Sequence, residues 1–136
     1  MRTPDSISYA AVPVARLGIS LVFLWFGVNQ LLFPSDFMGY LSDYLLQMES
    51  AEMFVIFNGL FETIAGTLLL LGIFTRPVAL ILSLHLLVIA ASLGYNDISV
   101  RDTGIAIVAF ALFLAGPDRW SLSNRMKRRK EHEKQI

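Results

Sequence analysis

Four long apolar runs alternate with short polar stretches along the chain. They cover about residues 12–33, 53–74, 78–95 and 100–115. A run of roughly 18 or more apolar residues is typical of a membrane-spanning helix. The fourth run would rise only about 24 Å as a helix, so it would need interfacial anchoring or a locally thin bilayer. The pattern predicts an all-α fold, an integral membrane four-helix bundle. Three spans with a re-entrant fourth run are the alternative.

The stretch between the first two runs has a different pattern. Its apolar side chains recur at intervals of three and four residues, which places them on one face of a helix. They are Phe37, Tyr40, Leu41, Tyr44, Leu45 and Met48. We therefore predict an amphipathic helix over residues 36–49, lying in the outer interface of the membrane. An ordinary loop helix packed on the bundle is the alternative.

Polar segments flank the four runs. We divide the chain into a short N-terminal tail (residues 1–11), a transmembrane domain (12–117) and a basic C-terminal tail (118–136). The C-terminal tail is expected to be partly disordered. The first run is too long for the apolar part of a cleaved signal peptide, so we interpret it as a retained helix.

Composition agrees with a membrane protein. Charged residues make up 16% of the chain, whereas soluble domains usually carry about 25%. The chain has no cysteine, which excludes dithiol redox chemistry and thiolate metal sites carried by this chain. Its two histidines are His85, inside the third run, and His132, in the tail, so a bis-histidine haem within the membrane is not expected. We predict no haem or metal site.

Charge is distributed very unevenly between the two sides. Arg101 is the one basic residue expected on the outer side. The other ten fall on the tails and on the turn between the second and third runs: Arg2, Arg16, Arg76, Arg119, Arg125, Lys127, Arg128, Arg129, Lys130 and Lys134. The positive-inside rule predicts a multi-pass protein of the cell membrane with both termini in the cytoplasm.

Glu62 is the most informative polar residue. It lies about nine residues inside the second run, roughly 12 Å below the outer surface. A carboxylate at that depth costs several kcal/mol unless it is paired or protonated. We therefore expect Glu62 to face the bundle interior, with Asn58 one turn away. It is either a proton-accepting or ligand-binding carboxyl, or a side chain that only fixes helix packing.

His85 is expected at a similar depth to Glu62, because the third helix runs antiparallel to the second. Such a pair could relay protons or bind a quinone carbonyl. The alternative is a neutral histidine bonded to Ser83, Ser92 or a backbone carbonyl.

Asn29 and Gln30, near the outer end of the first run, complete the candidate polar site formed by Glu62, His85 and Asn58. Ordinary interfacial polarity is the alternative for these two amides. We assign no catalytic residue.

Three further charged features lie outside the candidate polar site. Arg16 lies close to the inner surface, and we expect it to snorkel there. Arg101 and Asp102 are expected to form an outer-surface ion pair next to a helix start at residues 99–102, worth little if exposed. The third feature is a basic patch close beyond the last span, formed by Lys127, Arg128, Arg129 and Lys130.

Each residue of this basic patch could add about 1 kcal/mol of attraction to anionic lipids. The patch also suits a topology signal, the interpretation we favour. Nucleic-acid binding is not expected, because the patch lacks interleaved aromatic residues and a folded reader.

Several short motifs resemble the DoxX-like family of small four-helix membrane proteins over residues 12–116. They are Arg16-Leu17-Gly18, Gly27-Val28-Asn29-Gln30-Leu31, Pro34, Gly59-Leu60-Phe61-Glu62-Thr63-Ile64-Ala65-Gly66 and Leu71-Gly72-Ile73-Phe74-Thr75-Arg76-Pro77. The family often has a lysine where Gln30 stands, so a lysine–glutamate pair with Glu62 is absent here. The family includes a membrane subunit of a thiosulfate:quinone oxidoreductase, and the resemblance implies a link to membrane redox metabolism.

The first functional hypothesis is therefore a non-catalytic membrane subunit that supports a quinone-linked oxidoreductase. It implies a quinone as cofactor, and the lipid bilayer, a redox subunit and further copies of the chain as partners. A structural or assembly protein without catalysis is one alternative. A small proton-coupled transporter is the other.

Overall fold

The structure is a bundle of apolar helices, whose backbone groups are hydrogen-bonded within each helix as a lipid environment requires. The computed structural model describes residues 8–134. Its four long helices are α1 (Ser8–Leu32), α3 (Ala51–Leu71), α4 (Thr75–Leu93) and α5 (Asp97–Ala115). All four are long and apolar enough to cross a membrane. The predicted all-α fold with four candidate spans is confirmed.

All four spanning helices start two to four residues earlier than predicted, and the residues at the starts of two of them explain the shift. α5 begins at Asp97 because Asn96 caps it, with the Asn96 side chain accepting a hydrogen bond from the Ser99 amide at 2.9 Å. Its 19 residues rise about 28 Å, close to a ~30 Å hydrocarbon core, so the expected shortfall disappears. α4 begins at Thr75, which places Pro77 in the first turn, where its missing N–H breaks no helix bond.

Both ends of the described chain are helical beyond the predicted limits. α1 begins at Ser8 instead of residue 12. A sixth helix, α6 (Leu122–Glu133), forms within the tail that we expected to be partly disordered. Its cap is Ser121, whose hydroxyl accepts from the Asn124 amide at 3.4 Å. The predicted tail segments 1–7 and 135–136 lie outside the described residues.

Residues 34–50, the loop segment, contain two short helices where one amphipathic helix over 36–49 was predicted. A 3-10 helix covers Pro34–Tyr40, and α2 covers Asp43–Leu46. The chain becomes extended at Leu41, which separates them. Phe37 is buried, whereas Tyr44 remains 76% exposed. The apolar side chains of the loop segment therefore do not share one face.

The helices associate as two antiparallel pairs, α1 with α3 and α4 with α5. Gly27 and Gly59 bring the first pair together: a Cβ built on Gly59 would lie 2.8 Å from the Gly27 carbonyl oxygen. Small residues permit this close approach of helix backbones in membranes. The core between the pairs includes the buried side chains of Phe23, Leu69 and Leu82.

Arg16 lies at the end of the bundle where α1 starts and α5 finishes, which we call the tail end. The prediction that it snorkels to the surface was wrong, because Arg16 is 2% exposed. Its Nε donates to Asp118 Oδ2 at 2.6 Å. Its Nη1 donates to the carbonyl oxygens of Leu69, at 2.8 Å, and Leu70. These carbonyls belong to the last turn of α3, where helix carbonyls lack the usual intrahelical partner. The Leu69 carbonyl also accepts from the Gly72 amide at 3.0 Å.

The turn after α3 packs closely on the start of the C-terminal helix. Gly72 adopts a left-handed conformation, with φ of 69°. A Cβ at Gly72 would collide with Ser121, and the Gly72 carbonyl accepts from the Ser123 amide at 3.3 Å. The tail end therefore joins the start of α1, the α3–α4 turn and the start of α6.

The Asp118→Asn substitution tests the buried ion pair at the tail end. Removing one partner leaves the Arg16 charge uncompensated, which typically costs about 3 kcal/mol or more. We expect the free energy of unfolding to fall by that amount, measured by circular dichroism of the purified protein in mild detergent. The matched control is Glu133→Gln in the exposed Arg129–Glu133 pair, which should change stability by less than about 0.5 kcal/mol. Equal effects of the two substitutions would contradict this role.

Candidate functional site

A closed set of hydrogen bonds joins α1 to the middle of α3. Gln30 Nε2 donates to Glu62 Oε2 at 2.9 Å. Asn58 Nδ2 lies 2.7 Å from Gln30 Oε1 and 3.1 Å from Glu62 Oε1, and donates to both. Glu62 is only 4% exposed. The carboxyl group is therefore held inside the bundle by two amide donors, an arrangement suited to a carboxylate, which can only accept hydrogen bonds.

The Gly27–Gly59 approach explains why Gln30 reaches Glu62. A Cβ on Gly59 would lie 2.8 Å from the Gln30 Cβ, so the Gln30 side chain starts directly against α3. Asn58 and Glu62 are four residues apart on α3 and share one face of that helix. Both side chains therefore point toward the same part of α1.

His85 lies beside Glu62, as the antiparallel arrangement of α3 and α4 predicts. Its Nε2 is 3.4 Å from Glu62 Oε1, and its ring centroid is 4.7 Å from that of Phe61. The His85 side chain is 22% exposed, so it lies at the seam between α3 and α4. The alternative serine partners are engaged elsewhere: Ser83 donates to the Ala106 carbonyl and Ser92 to the Ile89 carbonyl.

Asn29 does not join the cluster. Its Nδ2 donates to the Trp25 carbonyl on its own helix at 2.7 Å. Successive helix positions are rotated by about 100°, so Asn29 faces away when Gln30 faces α3. The basic patch on α6 lies at the tail end, on the other side of the bundle from the loop segment. The structure therefore brings together Gln30, Asn58, Glu62 and His85 from the predicted set.

A cavity of about 170 Å³ lies next to this cluster, between the two helix pairs and under the loop segment. Most of its wall is apolar and aromatic. The apolar and aromatic lining residues are Val22, Phe23, Phe26, Phe37, Tyr40, Leu41, Leu45, Phe54, Val55, Leu86, Ile89 and Ile105. Its polar lining includes Gln30, Asn58 and Glu62. The cluster therefore presents polar groups to an otherwise apolar chamber.

Arg101 and Asp102 form the second polar feature of the cavity. Arg101 Nη2 lies 2.8 Å from Asp102 Oδ1, and the Asp102 side chain is buried. The guanidinium carbon lies 5.1 Å from the Phe26 ring centroid and 5.8 Å from that of Tyr40, within the range of cation–π attraction. The predicted Arg101–Asp102 pair is therefore present, but only the Arg101 side chain is exposed, at 40%, whereas Asp102 is buried.

The loop segment closes the cavity through aromatic contacts. The Phe37 and Tyr40 rings stack with centroids 5.6 Å apart, and both rings lie 6.1 Å from that of Phe26. Arg101 contacts two rings of this group. The sequence singled it out as the one basic residue of the outer side, but not as part of the candidate site. Its position in a cavity was not predictable, because the fold of the loop segment was not.

The arrangement offers defined chemistry to a small occupant. Gln30 has one side-chain N–H beyond the one it donates to Glu62, and the guanidinium of Arg101 has N–H groups beyond its bond to Asp102, so both can donate hydrogen bonds. The Glu62 and Asp102 carboxyls can accept them. An apolar chamber with a few convergent polar groups is the usual form of a small-molecule site.

Comparison with known proteins gives two matches. The family model described as DoxX matches residues 11–94. The uncharacterized membrane protein Rv3486 of Mycobacterium tuberculosis (strain ATCC 25618 / H37Rv) is 28% identical over 131 residues, an alignment covering 84% of this chain and 80% of that protein. No solved structure matches the chain.

Gln30 and Asn29, which are neighbours in the sequence, provide a test of the hydrogen-bonded cluster, because only Gln30 belongs to it. Gln30→Leu removes a donor to the buried Glu62 and an acceptor for Asn58, and we expect it to lower the free energy of unfolding by about 1–3 kcal/mol. Asn29→Leu is the matched control and should stay within about 0.5 kcal/mol of the parent. Denaturation of both purified variants in mild detergent measures the difference. A larger loss for Asn29→Leu would show that the cluster is assigned to the wrong residue.

Proposed function

The chain belongs to the DoxX family of membrane proteins, and from this premise we propose that it is a membrane subunit that binds a quinone headgroup for an oxidoreductase. The observation that carries the proposal is the cavity of about 170 Å³ beside Gln30, Asn58 and Glu62. We assign the chain a binding role and leave electron supply to a partner subunit.

The cavity is large enough to hold one six-membered ring. An engineered apolar cavity of about 150 Å³ in another protein accepts benzene, so the cavity of about 170 Å³ has room for a ring with small substituents. Phe23, Phe26 and Phe54 supply aromatic surface around that volume. Ring faces and edges of this kind pack well against a planar ring.

The polar groups support a ring that carries carbonyl oxygens. Each quinone carbonyl is a hydrogen-bond acceptor, and Gln30 and Arg101, which both line the cavity, have N–H groups beyond those they donate to Glu62 and Asp102. Glu62 and His85 can hold protons close by, at 3.4 Å from each other. A bound quinone would supply two-electron redox chemistry coupled to protons. In this proposal the chain orients the ring and holds protons beside it.

The seam between α3 and α4 supports entry from the lipid. Phe54 on α3 and Ser92 on α4 both line the cavity and are both exposed. The α3–α4 contact is much smaller than the contacts inside each helix pair. A quinone with its apolar tail in the membrane could therefore place its headgroup between the pairs while the tail stays in lipid.

Cavity filling tests quinone binding. The Ile105→Phe substitution adds volume to the cavity wall, whereas Ile107→Phe adds the same volume on the exposed face of α5 and is the matched control. Decylubiquinone at about 100 times its Kd should raise the free energy of unfolding by about 2.7 kcal/mol in the parent and in the control. It should have little effect on the Ile105→Phe variant. Unfolding of the parent and of both variants in nanodiscs, with and without the quinone, measures this change in the free energy of unfolding.

The same measurement separates the alternative functions. Equal stabilisation of both variants would indicate partitioning into lipid and would contradict a site in the cavity. No stabilisation of any variant would favour a structural or assembly role. Stabilisation by benzyltrimethylammonium, a small aromatic cation, with proton release on its addition, would favour a proton-coupled transporter. A redox subunit or further copies of the chain, if they belong to the complex, should remain bound in native mass spectrometry of gently extracted membranes.

We also propose that the tail end faces the cytoplasm of a cell membrane. Among the described residues, Arg101 belongs to the loop end, and nine Lys and Arg side chains belong to the tail end. These nine are Arg16, Arg76, Arg119, Arg125, Lys127, Arg128, Arg129, Lys130 and Lys134. The positive-inside rule supports this orientation.

Single cysteines test the orientation, because the chain has none of its own. Tyr95→Cys lies in the exposed α4–α5 turn at the loop end, and Lys134→Cys caps α6 at the tail end. A membrane-impermeant maleimide should label Tyr95→Cys on intact cells and Lys134→Cys only after lysis. The reverse pattern would contradict the proposed orientation.

A further inference from the structure

The C-terminal helix α6 has a charge that the cavity and its proposed ligand do not explain. Over its 12 residues it carries five basic side chains and two acidic ones, a net charge of +3. The basic residues are Arg125, Lys127, Arg128, Arg129 and Lys130. No residue of α6 is buried. The side chains of α6 are therefore accessible to a binding partner outside the bundle.

We propose that α6 is a docking surface for anionic phospholipid headgroups of the leaflet next to the tail end. The proposal does not depend on quinone binding. Its occupant is identified by charge complementarity: a leaflet surface rich in phosphate presents many negative charges in one plane, and each nearby Lys or Arg strengthens binding to such a surface about fivefold.

The position of α6 brings its start to the membrane boundary. Ser121 is fully buried against Gly72 in the α3–α4 turn, and the Ser123 amide bonds the Gly72 carbonyl. Asn124 Nδ2 also donates to the carbonyls of Pro117 and Asp118, each at 3.0 Å. Asp118 in turn is held by the buried Arg16. The first turn of α6 is therefore fixed to the ends of the spanning helices.

One face of α6 is suited to the interface between headgroups and acyl chains. Leu122 and Met126 lie one turn apart on the same face, and Met126 is 52% exposed. Arg129 and Lys130 continue that face one turn further. Long basic side chains can lie along apolar surface while their charges reach phosphate, as interfacial helices require. Trp120, exposed just before the helix, suits the same interface.

Site-specific fluorescence tests the lipid surface in the full-length protein. Met126→Cys and Glu131→Cys place single labels on opposite faces of α6, in a chain without native cysteine. Each variant is labelled with an environment-sensitive dye and placed in nanodiscs of phosphatidylcholine, alone or mixed with phosphatidylglycerol. We expect the label at position 126 to become protected several-fold from acrylamide quenching only when phosphatidylglycerol is present. The label at position 131 should stay accessible in both membranes.

Removing the basic charges of α6 provides the second part of the fluorescence experiment. Replacing Lys127, Arg128, Arg129 and Lys130 by Gln in the Met126→Cys background should abolish the protection in phosphatidylglycerol. Quinone stabilisation should be unchanged, because the four residues lie outside the cavity. Equal accessibility at positions 126 and 131 in anionic nanodiscs would overturn the proposal, and so would protection that does not depend on lipid charge. A change caused by duplex DNA but not by phosphatidylglycerol would overturn it in favour of nucleic-acid binding.

Discussion

The close approach of α1 and α3 determines the geometry of everything else around the site. Gly27 and Gly59 allow the two backbones to touch, with a Cβ-to-carbonyl distance of 2.8 Å for any side chain added at Gly59. At that separation Gln30 can bond directly to Glu62, at 2.9 Å. The amides compensate a buried carboxyl that would otherwise cost several kcal/mol in the membrane. The hydrogen bonds of the site therefore depend directly on how closely α1 and α3 pack.

Hydropathy and charge were enough to predict the four candidate spans and the burial of Glu62, because both depend on properties that every residue carries individually. The pairing of Glu62 with His85 followed from the antiparallel order of α3 and α4. The choice between Asn29 and Gln30 could not be made in the same way. Both amides have the same chemistry, and only the rotation of α1 about its axis, set by Gly27, decides which of them faces α3.

The charged residues that sequence analysis misjudged share one physical feature: each is compensated by a partner distant in the chain or by a segment of irregular structure. Arg16 binds Asp118, which is 102 residues away, and two carbonyls at the end of α3. Arg101 lies on the rings of Phe26 and Tyr40, and the 3-10 helix brings Tyr40 there. Local patterns carry no information about such partners, so a position near a membrane boundary suggested exposure for Arg16 and Asp102, both of which the fold buries.

The division into two helix pairs explains how a bundle this small can contain a cavity. Within each pair the helices pack closely along their length, and between the pairs the contact is much smaller. The tail end is joined by the Arg16 and Gly72 contacts, whereas the loop end is covered by the aromatic loop segment and the Arg101–Asp102 pair. The contacts at the tail end also hold the base of α6 beside the spanning helices, because the Ser123 amide bonds the Gly72 carbonyl and Asn124 bonds the carbonyls of Pro117 and Asp118.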